Sequence, residues 1–220
     1  MNTATRPGLR ERKKQRTRDA LIRAALELFT TRGYEQTTVD EIAAAVDVSQ
    51  RTFFRYFAGK EDAALAAQQL AMEHFVEALR ARPAQEPPLE ALRRALAEGW
   101  DTLHEVVEAV VPIGLYLRMY RVIESTPVLL AAYLRGSAEA EERIARLIAE
   151  REGLDVDADP RPRVAVAVFG GVIRVTERLW SAGDDFSVEA LRALTTAYLD
   201  QVGPALAADW RNTPPTGADA

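Results

Sequence analysis

Gln50, Arg51, Thr52, Arg55 and Tyr56 gather side-chain donors along one short stretch, while Phe53 and Phe57, four positions apart, point together to the opposite side of a helix. The carboxamide and guanidinium groups of such a set can meet adenine and guanine edges, and its hydroxyls and cations can meet phosphate oxygens. Ser49 stands where an N-cap would start this helix. Upstream, Thr38 followed by Glu41 makes a capping box for another short helix, with Ile42, Ala43 and Val46 on one face. The break between the two falls at Asp47-Val48-Ser49, with Val48 able to pack beneath the phenylalanines. Two short helices around a tight turn can lay the second helix in a DNA major groove. The same pattern also fits the solvated face of an ordinary helical hairpin, so the choice rests on context.

That context is an amphipathic helix over 18–32 (Leu21, Ala24, Ala25, Leu28, Phe29), entered through Thr17 and stopped by Gly33, which supplies a third helix to cover the pair. With it in view, Thr17 to Asp62 resembles the DNA-binding domain of TetR-family transcriptional regulators. The residues that carry the resemblance are Ala25-Leu26-Glu27-Leu28-Phe29, Arg32-Gly33-Tyr34, Thr37 through Ala43, Val48-Ser49 through Phe57, and Lys60-Glu61-Asp62. The resemblance implies that Thr38, Tyr56 and Lys60 hold phosphates. It also implies that Gln50, Arg51, Thr52 and Arg55 face bases or the adjacent backbone, with their N-cap Ser49 counted in the same DNA-binding set. Such proteins often carry tyrosine where this chain has Phe54, so Phe54 is read either as a packing residue or as an apolar contact to a thymine methyl.

The 220 residues carry a formal charge of -5, 48% hydrophobic content and no cysteine, which excludes a disulfide framework and thiol chemistry. No apolar region follows the arginine-rich N-terminus, and the apolar run from Val164 to Ile173 is too short to span a bilayer, so a cytoplasmic protein without a membrane partner is expected. The net charge hides an asymmetry: residues 1–60 hold 12 Lys and Arg against 7 Asp and Glu. A basic head on an acidic body directs nucleic acid to one end. Arg10, Arg12, Lys13, Lys14 and Arg16, continuing to Arg18, suggest a flexible basic arm over 1–16 that either adds phosphate or minor-groove contacts or is simply solvated.

An all-α architecture is expected: a helix-turn-helix domain over 17–60, a larger helical effector-binding and dimerisation domain over 61–211, and a disordered tail over 212–220. Helices are predicted from Glu61 to Ala81, from Leu89 to Val111, from Leu115 to Glu124, and from Thr126-Pro127 to Glu152-Gly153. Asp155, Asp157 and Asp159 alternate as in a calcium loop, but Pro160 and Val166 stand where glycine and glutamate are required, and calcium is excluded. The alternation from Val164 could be a strand. Its continuation to Trp180 without a turn signal favours a buried helix, followed by a last helix from Ser187.

The last two helices carry more apolar surface than one side can bury, which predicts a homodimer through Phe169, Gly170, Val172, Leu191, Leu194, Tyr198 and Val202, and hence a near-palindromic double-stranded operator. Trp100, Leu103, Tyr116, Met119, Tyr120, Tyr133, Phe169 and Ile173 could line a pocket for a small hydrophobic effector, although core packing explains each singly. Arg118, Arg121 and Arg174 are candidates either for an anionic ligand head group or for surface ion pairs. Asp101, His104, Glu105 and Glu108 could suggest metal or acid-base chemistry, but no phosphate loop or nucleophile elbow accompanies them. No enzyme, metal or cofactor is expected. The reading is a homodimeric repressor released by an effector; the alternative is an architectural or protein-recruiting DNA-bound factor.

Overall fold

The computed structural model describes residues 8–207, and within them every regular element is helical. The head contains α1 (Leu9–Arg32), α2 (Val39–Ala44) and α3 (Gln50–Phe53). The body contains α4 (Lys60–Ala81), α5 (Pro88–Asp101), α6 (Leu103–Val107), α7 (Ile113–Ser125), α8 (Pro127–Glu152), α9 (Arg161–Ser181), α10 (Val188–Asp200) and α11 (Val202–Ala207).

Head and body share packing. Leu21, Ile22, Leu26 and Phe29 of α1 bury against Ile42, Phe53 and Phe57, and the same apolar cluster continues through Ala63 to Ala67 of α4 into Leu115, Met119 and Ile123 of α7. A second cluster joins Phe75 and Leu79 of α4 to Leu92 of α5, Ile144 and Ile148 of α8, Phe169 of α9 and Leu199 of α10. Helix α4 is therefore common to both. The Arg23 guanidinium on α1 adds a polar tie by donating to the Val110 carbonyl between α6 and α7 at 3.1 and 3.3 Å.

Several boundaries differ from the sequence expectation. The basic segment taken for a flexible arm is helical from Leu9: its Arg, Lys, Gln and Glu residues are good helix formers, no breaker follows Gly8, and Glu11 pairs with Lys14 one turn on. Residues 1–7 and the expected disordered tail over 212–220 lie outside the described residues. The helix expected from 89 to 111 breaks at Thr102, whose hydroxyl donates to the Glu98 carbonyl at 2.8 Å and bonds His74 Nε2 at 2.6 Å. β-Branched Val106, Val107, Val110 and Val111 beyond the break add little helical preference. The alternating run at Val164 is helix, as the absence of a turn required. Proline opens α5, α8 and α9 within the first turn, and Gly153 closes α8 in the left-handed conformation (φ 66°).

Candidate functional site

The capping box that opens α2 is complete. Thr38 Oγ1 accepts from the Glu41 N–H at 3.2 Å, and the Glu41 carboxylate accepts from the Thr38 N–H at 2.8 Å, which holds its pKa below the usual carboxylate range. Gly33 (φ 95°, ψ 153°) ends α1 in a conformation that suits glycine and not other residues. The turn between α2 and α3 closes with Asp47 left-handed (φ 54°) and the Val48 N–H donating to the Ala43 carbonyl at 3.0 Å. Ser49 then caps α3 by accepting from the Thr52 N–H at 3.2 Å.

With Phe53 and Phe57 buried, Gln50, Arg51 and Arg55 are exposed, and Thr52 and Tyr56 are half-buried beside them. The Arg55 guanidinium lies over the Tyr56 ring at 5.1 Å and donates to its hydroxyl at 3.3 Å. Phe54 is 52% exposed, so the packing reading fails: it meets Phe53 edge-on, and most of its ring faces outward. Arg18 reaches the same region through its guanidinium over Phe57 at 5.4 Å, and Arg16 is exposed one half-turn earlier on α1. Lys60 opens α4 with its ammonium donating to the Tyr34 and Thr37 carbonyls at 2.9 and 3.2 Å, above the Tyr34 ring. It thus ties the loop before α2 to the helix that enters the body.

The body contains a partly open cavity of about 170 Å³ between α4, α5, α6, α7, α8, α9 and α10. Seven of the eight anticipated pocket residues line it: Trp100, Leu103, Tyr116, Tyr120, Tyr133, Phe169 and Ile173. Met119 does not. It is fully buried, one turn after Tyr116 and directly before Tyr120, in the cluster shared with α1. The tyrosines form a polar seam: Tyr116 and Tyr120 hydroxyls lie 3.0 Å apart, and Tyr133 donates to Glu177 at 2.7 Å. Burial pushes the Glu177 carboxyl up to about 7, against the opposing hydrogen bonds from Tyr133 and Tyr120. Arg174 lines the cavity but is paired with Glu141. Arg121 is tied to the Ser181 and Gly183 carbonyls at 3.1 and 2.9 Å, and Arg118 is exposed outside the cavity wall.

The anticipated dimer surface divides. Phe169 stacks on Phe75 and is 5% exposed, and Leu191 is buried, so these two belong to the interior of one chain, while Gly170 is half-buried and faces Glu141. Val172, Leu194 and Val202 are half-buried, and Tyr198 is 40% exposed. The missed outward residues are Val164 and Leu179, which stand with Val168, Gly171 and Val175 at helical spacing along α9.

The family model described as "Bacterial regulatory proteins, tetR family" matches residues 21–67, and the one described as "MftR C-terminal domain" matches residues 86–207. The HTH-type transcriptional regulator TcmR of Streptomyces glaucescens is 50% identical over 210 residues, covering 96% of this chain and 93% of that protein. The chain belongs to the TetR family. Among solved structures, Thermus thermophilus FadR, a TetR-family transcriptional repressor in complex with lauroyl-CoA, matches with a TM-score of 0.51 and 25% identity, over 90% of this chain and 99% of that one. Membership makes the chain a DNA-binding transcriptional regulator and not an enzyme. No helix among the described residues is long and apolar enough to cross a membrane.

Sequence reasoning missed most of the polar part of this cavity: Gln68, His74, Ser137, Glu141, Glu177 and Thr195. A signal existed for the first. Gln68 shares the spacing of Ala71, Met72 and Phe75 on α4, so it is a polar residue set in an apolar stripe.

Proposed function

We propose that the protein is a homodimeric repressor whose α3 reads a near-palindromic operator, blocking RNA polymerase until a small hydrophobic effector enters the body cavity. The observation that carries this reading is the double attachment of α4: Lys60 at its start fastens the head, while Gln68, Ala71, Met72 and Phe75 along it form cavity wall. A ligand that displaces α4 relative to α7 necessarily acts on the head, and a swing from mostly bound to mostly free needs several kcal/mol of differential affinity. In this reading Gln50, Arg51, Thr52 and Arg55 face bases, and Ser49, Thr38, Tyr56, Lys60, Arg16 and Arg18 supply capping and phosphate contacts.

The dimer rests on the apolar stripe of α9 (Val164, Val168, Val175, Leu179) together with Tyr198 of α10, which exceed scattered surface apolarity. Two-fold pairing would set the recognition helices roughly 34–36 Å apart for adjacent groove turns. That FadR is solved in complex with lauroyl-CoA supports a cavity of this fold accepting an apolar group such as an acyl chain.

Selection of bound sequences from random duplex DNA, followed by salt titration of the winner and sizing of the complex, tests the proposal. A palindrome bound by two chains far more tightly than random DNA is expected. Uniform, salt-dominated binding would instead favour the architectural factor.

A further inference from the structure

Resting on the reading of the cavity as the effector site, the geometry points to the chemical class of the ligand: an uncharged aromatic molecule carrying a donor and an acceptor side by side, read by the Gln68 carboxamide. Three observations carry it.

The first is charge. The ionisable groups of the wall already have partners in the protein: Arg174 pairs with Glu141, Glu177 accepts from Tyr133, and His74 bonds Thr102. A carboxylate or phosphate on the ligand would enter an apolar space whose one guanidinium is already paired and would have to break that pair, and an ammonium would meet only Glu177, whose carboxyl is taken up by Tyr133 and held protonated by burial up to about 7. The second is the orphaned amide. Gln68 is 7% exposed and lines the cavity, yet neither its Nε2 nor its Oε1 has a hydrogen-bond partner. Buried amides are ordinarily satisfied. Rotation about the soft terminal torsion of glutamine can turn this one toward a ligand. A carboxamide presents one donor face and one acceptor next to it, so its complement is another amide, a lactam, or a carbonyl flanked by a hydroxyl. The third is the wall itself, where Phe75, Trp100, Tyr116, Tyr120, Tyr133 and Phe169 offer ring faces and edges to an aromatic guest.

The test uses the full chain and four naphthalenes substituted at the same ring carbon: the carboxamide, the carboxylate, the methylammonium and the methyl compound. Affinity is measured by calorimetry for the wild type, Gln68→Leu and Gln68→Met. In the wild type the carboxamide should bind about tenfold more tightly than the methyl compound, the value of one well-formed hydrogen-bonding pair, and both charged probes should bind more weakly still. Both variants should lose the preference for the carboxamide while keeping affinity for the methyl compound. Their thermal midpoints without ligand should rise, because an unpaired amide leaves the interior.

Tighter binding of the carboxylate or the ammonium would overturn the inference while leaving the cavity as a ligand site. So would equal binding of carboxamide and methyl compound in the wild type, or a preference that survives in both variants. Failure of all four probes to bind the wild type would strike the cavity reading itself, and this inference with it.

Discussion

Glu177→Gln should stabilise the protein above neutral pH, and the size of the gain follows from where the carboxyl sits. Glu177 is 9% exposed among Tyr116 and Tyr120 from α7 and Tyr133 from α8, with Glu124 adding repulsion and Arg174 a weaker attraction. Burial outweighs the hydrogen bonds and raises the group from an ordinary 4.5 to about 7. Between these values the folded chain holds a proton that the unfolded chain releases. Stability therefore falls as pH rises through that window and levels off above it. Each tenfold difference in proton affinity is worth about 1.36 kcal/mol, so at pH 8 the ionised carboxyl opposes folding by roughly 3 kcal/mol. Glutamine keeps an oxygen for Tyr133 and removes the charge.

Urea unfolding of wild type and variant at matched protein concentration, from pH 5 to pH 8, measures the effect. The quantity to follow is the difference between the two curves, because carboxylates held low by their partners cancel in it. Glu86 and Asp159, both near 2 through hydrogen bonds from arginine, act with the opposite sign and at lower pH. The variant should match the wild type near pH 5 and exceed it by roughly 3 kcal/mol at pH 8, on the order of 6–12 °C in thermal midpoint for a chain of this size. A difference that stays constant across the range, or a variant less stable at pH 8, would refute the argument that desolvation governs this group.

Three further outcomes follow from the head. Thr38→Ala removes one half of the capping box and should cost about 1 kcal/mol of stability by thermal unfolding, with Thr38→Ser restoring most of it. Arg51→Ala should relax base preference at one operator position by about 1–3 kcal/mol in competition binding while leaving affinity for random DNA nearly unchanged. Lys60→Ala should weaken operator and random DNA alike and flatten the salt slope by about one contact. It should also lower the thermal midpoint, because the Tyr34 and Thr37 carbonyls lose their shared donor.

The head was legible because its local signals and tertiary positions agree. Thr38 with Glu41 and Ser49 before Gln50 are caps whose partners lie within three residues, and the spacing of Phe53 and Phe57 fixes the outward set by itself. Legibility failed where the decisive partner is distant in sequence. The break at Thr102 depends on His74 from α4, and the buried position of Met119 depends on α1. The exposure of Phe54 reflects a similar limit: α3 is a single turn, and helical spacing says little about the side a residue takes just past its end.

The cavity marks a limit of a different kind. Aromatic residues at helical spacing look the same whether they meet another side chain or an empty volume, since the period reports the inward direction and nothing about what is met there. That is why Tyr116, Tyr120 and Tyr133 could be nominated, while the distinction between cavity wall and closed core waited for the packing of α4 against α7, α8 and α9. Polar residues within apolar stripes break this symmetry. A buried carboxamide or carboxyl lowers stability unless something meets it, so Gln68 and Glu177 in otherwise apolar faces imply a partner for each. For Glu177 that partner is Tyr133. For Gln68 the folded chain supplies none, which makes the surrounding space a requirement of the sequence as much as a gap in its packing.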